Sequence, residues 1–135
     1  MAFPTGTGNL RSNPGVGFTL IELLVVMAII ATLLTIAVPR YFQSLERAKE
    51  TTLRQDLAVM RDAIDKFTGD TGHLPASIDE LVAERYIRAL PEDPFTRSSG
   101  TWVFVMSDDP EQAGVRDVRS GAEGLAKSGV PFNEL

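Results

Sequence analysis

Glu22 is the side chain of greatest chemical interest in this 135-residue chain, because it carries the only charge between Leu20 and Val38. A carboxylate within such a run costs on the order of 2.5–3.5 kcal/mol at a bilayer centre, and less toward an end, so it calls for a partner. Cleavage after Gly17 would create one, the α-amine of Phe18, from which Glu22 lies one helical turn away. In a stack of helices, each shifted along its neighbour, the carboxylate of one copy could meet the amine of the next. Pairing in a low-dielectric setting would then set the register, the best-attested use of buried ion pairs. The competing reading is an acid at the membrane interface whose head group turns back to water.

Other candidate groups carry less chemistry. His73, the only histidine, adjoins Asp70 and Thr71 in a Gly-rich turn. Acid–base catalysis also needs a positioned second group in a pocket, which sequence proximity does not supply. Gly6-Thr7-Gly8 lacks the strand, helix and spacing of a dinucleotide-binding turn. With no cysteine, a disulfide framework, thiolate metal sites and Cys nucleophiles are excluded. The expectation is a protein that is not an enzyme. Thirteen Lys and Arg against 18 Asp and Glu leave a net charge of -5, so no nucleic-acid partner is expected either.

The elements that must position Glu22 follow from composition. Residues 1–17 contain four Gly, two Pro and a single charge, Arg11, which cannot build a packed element and suits a leader. Phe18 to Val38 then runs for 21 residues, about 31 Å as a helix, which matches a bilayer hydrocarbon core. Leu23 to Ala31 has no polar side chain, and Thr32 and Thr35 can return their hydroxyls to backbone carbonyls. A buried soluble helix would keep a polar face, which is missing. A secretory signal would be cut after the apolar run, near Thr35-Ile36-Ala37, whereas cutting before it, at Gly17, leaves the run at the mature N-terminus. Glu22 favours the second cut, since an ordinary signal core has no use for an acid. Pro39 should end or kink the segment.

Beyond Pro39 the pattern becomes amphipathic. Phe42, Leu45, Leu53, Leu57, Met60, Ile64 and Phe67 recur mainly at spacings of three and four, with Glu50–Arg54 and Asp62–Lys66 as supporting pairs. Gly69-Asp70-Thr71-Gly72 should stop this helix. Ser77 and Glu80 form a capping-box pattern opening a short helix toward Tyr86. Trp102–Met106 and 115–119 predict two strands, with a third near 130–134, and the small sheet would cover the helical stripe. The expected organisation is a leader (1–17), a transmembrane helix (18–38) and a head (39–135) that includes the amphipathic half of the long helix.

The ordered run Gly17-Phe18-Thr19-Leu20-Ile21-Glu22, then Leu23-Leu24-Val25-Val26 and later Pro39, resembles the class III signal of type IV pilins and type II secretion pseudopilins. Arg11, the leader's one base, lies six residues before Gly17, farther than is common in these families. More weakly, Asp93-Pro94-Phe95, Trp102-Val103-Phe104-Val105 and 117–124 resemble the later part of G-type pseudopilins. The resemblance implies an α+β, type IV pilin-like fold, a long helix on a small antiparallel sheet. It also implies cleavage after Gly17 by a prepilin peptidase, N-methylation of Phe18, and Glu22 as the assembly residue. The implied function is a structural subunit of a type II secretion pseudopilus, with the head in the periplasm and the helix stored in the bacterial inner membrane. Implied partners are further copies in a helical filament, minor pseudopilins, an inner-membrane platform with its ATPase, and the lipid bilayer before assembly. The family often binds calcium in a late loop, which would assign Asp117, Ser120 and Glu123 as ligands. This chain has a shorter acidic tail, ending Pro131-Phe132-Asn133-Glu134-Leu135.

The alternatives are a type IV pilin or minor pilin for adhesion, motility or DNA uptake, and a periplasmic protein exported by a signal cut near Ala37. Intact mass and N-terminal sequencing of the membrane-extracted protein separate processing before the run from processing after it. The expected mature chain begins at methylated Phe18; a chain beginning at Val38 would mean simple export.

Overall fold

The computed structural model describes residues 1–6, 8 and 15–135. Arg11 and Thr7, both weighed in the leader, lie outside the described residues. Two compact units divide the chain, Met1–Pro39 and Arg40–Leu135.

Helix α1 spans Leu20–Thr71, 52 residues with Pro39 inside it. Helix α1 therefore does not end at Pro39. A proline removes one main-chain donor, a local loss in a helix that continues on both sides. Two hydroxyls in the first unit turn inward to the main chain: Thr32 Oγ1 donates to the Ala28 carbonyl and Thr35 Oγ1 to that of Ala31, both at 2.8 Å. The helix stops at Gly72, whose φ of +80° suits glycine and whose N–H donates to the Thr68 carbonyl at 2.9 Å. Gly69 stays helical.

In the second unit the fold is α+β. Helix α2 covers Ile78–Ala83, strand β1 Val103–Met106 and strand β2 Val115–Arg119. The strands pair antiparallel, Val103 opposite Arg119 and Phe104 opposite Val118, with an irregularity between Val105 and Met106. The third strand expected near 130–134 is instead a 3-10 turn at Phe132–Glu134, with a single bridge joining Leu125 to Pro131. Pro131 cannot extend a ladder, because it has no N–H to donate. The cap of α2 also departs from expectation. Ser77 makes no side-chain cap bond, and Glu80 reaches one residue farther back, accepting from the Ala76 N–H at 2.7 Å.

The stripe on α1 supplies the core, but only from Leu53 onward. Leu53, Leu57 and Met60 pack with Trp102, Val118, Ala122, Ala126 and Phe132. Ala63, Ile64 and Phe67 pack with Ile78, Leu81, Ile87 and Val115. Phe42 and Leu45, read as part of this stripe, are exposed. Both predicted pairs form at 2.7 Å, Lys66 to Asp62 on the exposed surface and Arg54 to the buried Glu50. An exposed pair such as Lys66–Asp62 contributes a few tenths of a kcal/mol. Buried Trp102 donates its indole N–H to the Pro91 carbonyl at 2.7 Å, so its polar atom is satisfied within the core. Gly114, at φ +146°, lets β2 approach the chain before α2. A Cβ there would sit 2.7 Å from the Pro75 carbonyl oxygen, the acceptor of the Val115 N–H.

Because Leu57 is 1% exposed within one of these clusters, Leu57→Ala should destabilise the head by about 2–5 kcal/mol. Denaturant unfolding followed through Trp102 measures it, and a loss below about 1 kcal/mol would contradict this account of the core.

Candidate functional site

Two regions hold the residues singled out from the sequence. At the first, Gly15 to Thr19 are exposed and non-helical, so the Gly17–Phe18 peptide bond lies outside α1. Thr19 marks the boundary. Its Oγ1 accepts from the Glu22 N–H at 3.2 Å, and its carbonyl accepts from the Leu23 N–H at 3.1 Å. Thr19 is therefore the N-cap and Glu22 occupies the third helical position, a Thr-x-x-Glu arrangement. The sequence reading passed over Thr19, although this spacing was its signal. The position also places the Glu22 carboxylate in the first turn, where unpaired N–H groups and the helix dipole favour negative charge.

Every residue from Leu20 to Ala48 is exposed. The helix is long and apolar enough over this part to cross a membrane. Leu23, Leu24, Val25 and Val26 have no protein surface over them, so their burial must come from lipid or from other chains.

The second region surrounds the calcium candidates, and the structure does not bring them together. Asp117 Oδ1 accepts from Arg61 Nε and from the Val118 N–H, both at 2.8 Å. Ser120 is fully buried; its Oγ donates to Asp93 Oδ2 at 2.5 Å and accepts from the Ala122 N–H at 3.0 Å. Glu123 is exposed and lines a surface depression with Ser120 and Asn133, a depression that Asp117 does not border. Calcium takes six to eight oxygens. Here one carboxylate is held by a guanidinium, the hydroxyl is committed to another acid, and the remaining carboxylate stands alone. Among the described residues no group of three or more His, Asp or Glu is placed to hold a metal. The donor set of Asp117, Ser120 and Glu123 does not fit calcium.

Asp93 is the polar centre that sequence reasoning missed. It is fully buried, and Oδ1 accepts from the Phe95 and Thr96 N–H groups at 2.8 and 3.3 Å while Oδ2 accepts from Ser120. One carboxylate thus shapes the loop after Pro94 and ties it to the segment following β2. Half-buried Asp56 on α1 responds to it: burial first, and then the Asp93 charge, push its carboxyl above the usual range. Elsewhere Tyr86 donates to Asp70 Oδ2 at 2.8 Å, which raises the phenol's pKa. His73 is exposed, a turn residue with Nδ1 3.0 Å from the Leu74 carbonyl and its ring edge-on to Phe67.

Residues 17–38 match the family described as the prokaryotic N-terminal methylation motif. Among the chain's relatives is the type II secretion system core protein G of Klebsiella pneumoniae, 30% identical over 131 residues, covering 85% of this chain and 86% of the relative. That of Pectobacterium carotovorum subsp. carotovorum is 28% identical over 134 residues, covering 87% and 80%. That of Escherichia coli (strain K12) is 30% identical over 95 residues, covering 58% of this chain and 66% of the relative, just under two thirds of its length. No solved structure matches the chain significantly. The chain belongs to the family of type II secretion system core protein G, the G-type pseudopilins.

The burial of Asp56, and then the Asp93 charge, set a pH dependence. A carboxyl whose pKa is higher folded than unfolded stabilises the fold in acid and loses that contribution as pH rises through the folded-state value. Asp56→Asn should therefore raise the melting temperature near about pH 7, with the gain vanishing below about pH 3, where both states are protonated. Melting curves across this range check it; an equal gain at every pH would mean that the charge is not the cause.

Proposed function

We propose that this protein is a structural subunit of a type II secretion pseudopilus. The observation carrying this reading is the exposed apolar half of α1 with Glu22 in its first turn, one turn from a peptide bond left outside the helix. Prepilin peptidase would cut after Gly17 and the new amine of Phe18 would be methylated. The apolar helix would then hold the subunit in the inner membrane, with residues 39–135 forming the periplasmic head.

Extraction from lipid into a filament is conceivable because neighbouring apolar helices replace acyl chains at little cost, both being comparably apolar. The difference between the two settings then falls on Glu22. In lipid its carboxylate meets only its own helix end; in a filament it meets the Phe18 amine of the adjoining copy, an interaction strengthened by the dry surroundings. An assembly platform and its ATPase would supply the work, minor pseudopilins would join the same filament, and growth would move secreted proteins toward the outer membrane. The role is structural, and no residue is assigned to catalysis.

Glu22→Ala tests the central step. The variant should still insert in membranes and be processed, while filament yield falls by at least about tenfold, the equilibrium equivalent of about 1.4 kcal/mol per contact. Normal filaments from a processed Glu22→Ala protein would overturn the pairing of Glu22 with the amine.

A further inference from the structure

We infer that the head of this protein closes without calcium, because the Arg61 guanidinium from α1 already performs the bridging that a cation would supply. Arg61, on α1, reaches two separated parts of the head, strand β2 and Leu135. Its Nε donates to Asp117 Oδ1 at 2.8 Å, and its Nη2 donates to the Val118 carbonyl at 3.0 Å and to the Leu135 main-chain oxygen at 2.7 Å. These acceptors are a carboxylate and two main-chain oxygens, the donor types a hard cation would collect. The planar guanidinium suits this geometry, since its several N–H groups diverge in a fixed fork.

Three further observations agree. Asp117 is the carboxylate that a calcium ion would need, and a divalent cation beside it would face the repulsion of the guanidinium at hydrogen-bonding range. Ser120 points its hydroxyl proton at Asp93, so its lone pairs face the Ala122 N–H rather than a metal. The last segment has its own closure as well: Phe132 stacks at 4.2 Å against Phe95, and the Phe132 N–H donates to the Gly124 carbonyl at 3.1 Å. A second latch lies beyond Ser120, where the Lys127 N–H donates to Glu50 Oε2 at 3.0 Å while Arg54 holds Glu50 Oε1 at 2.7 Å. The segment after β2 is thus returned to α1 twice, at Glu50 and at Arg61, by groups belonging to the chain.

The inference concerns the head alone and stands apart from the filament reading. Its test is the melting of the full chain in detergent, followed through Trp102, with EDTA or with about 5 mM calcium, above the weakest protein calcium sites. The expected midpoints coincide; a calcium-induced rise of more than about 2 °C would overturn the inference, as ligand binding to the folded state must raise the midpoint. Arg61→Met should lower the midpoint by about 5 °C in either buffer. An unchanged midpoint, or recovery on adding calcium, would also overturn it. Equilibrium dialysis of the unaltered protein against radioactive calcium decides the matter even if Arg61→Met does not fold: no stoichiometric uptake is expected, and one ion per chain would refute the proposal.

Discussion

From Leu20 to Val38 a helix carries apolar side chains, two inward-bonded threonines and one carboxylate, with no protein surface over any of them. Water is excluded as their resting environment, because exposed apolar area of this extent costs about 25 cal/mol per Å². That leaves lipid or other chains; in the proposed assembly these are the bilayer and copies of the same segment, both apolar enough to be nearly equivalent. The one group that distinguishes them is Glu22. Its place in the first turn, with Thr19 capping the same turn, softens the cost of the charge without removing it. In the proposed assembly, a subunit leaving lipid for the filament needs such an imbalance, small enough to permit storage and large enough to reward assembly.

The other half of α1 has the opposite task. From Leu53 onward it offers a stripe that two strands, one short helix and several loops cover. So little regular structure would seal a core poorly by itself. The remaining closure is polar and comes from few residues: Asp93 organising its loop and Ser120, Arg61 joining β2 to the end of the described chain, and Glu50 receiving Lys127. Each is anchored to α1 or to a buried carboxylate, and among the described residues no buried side-chain polar atom lacks a partner. Satisfied networks of this kind hold irregular backbone in one arrangement.

Much was legible in the chain. A 21-residue apolar run, a lone acid and a change of pattern after Pro39 specify a helix with two environments, since burial preference is a property of the side chains themselves. Strand β2 and the i,i+4 pairs are local, and local spacing found them. The misses are equally physical. Phe42 and Leu45 share the helical stripe, yet the cover begins only near Glu50, and how far the rest of the head reaches along a helix is not encoded in periodicity. The segment near 130–134 has apolar residues, but Pro131 and the turn at Phe132–Glu134 take it out of the ladder.

Residue types alone determined that this protein has an apolar helix with a carboxylate near its start, because transfer energies and the 3.6-residue repeat act within one segment. Which acids would have neighbours was decided only by folding. Asp117 and Glu123 sit six positions apart and were expected together; a guanidinium 56 residues earlier in the chain took one and left the other to solvent. Asp93 and Ser120, 27 residues apart, met in the interior instead. Contacts of that span depend on how helix, strands and loops pack, and electrostatic pairing follows distance in space rather than along the sequence.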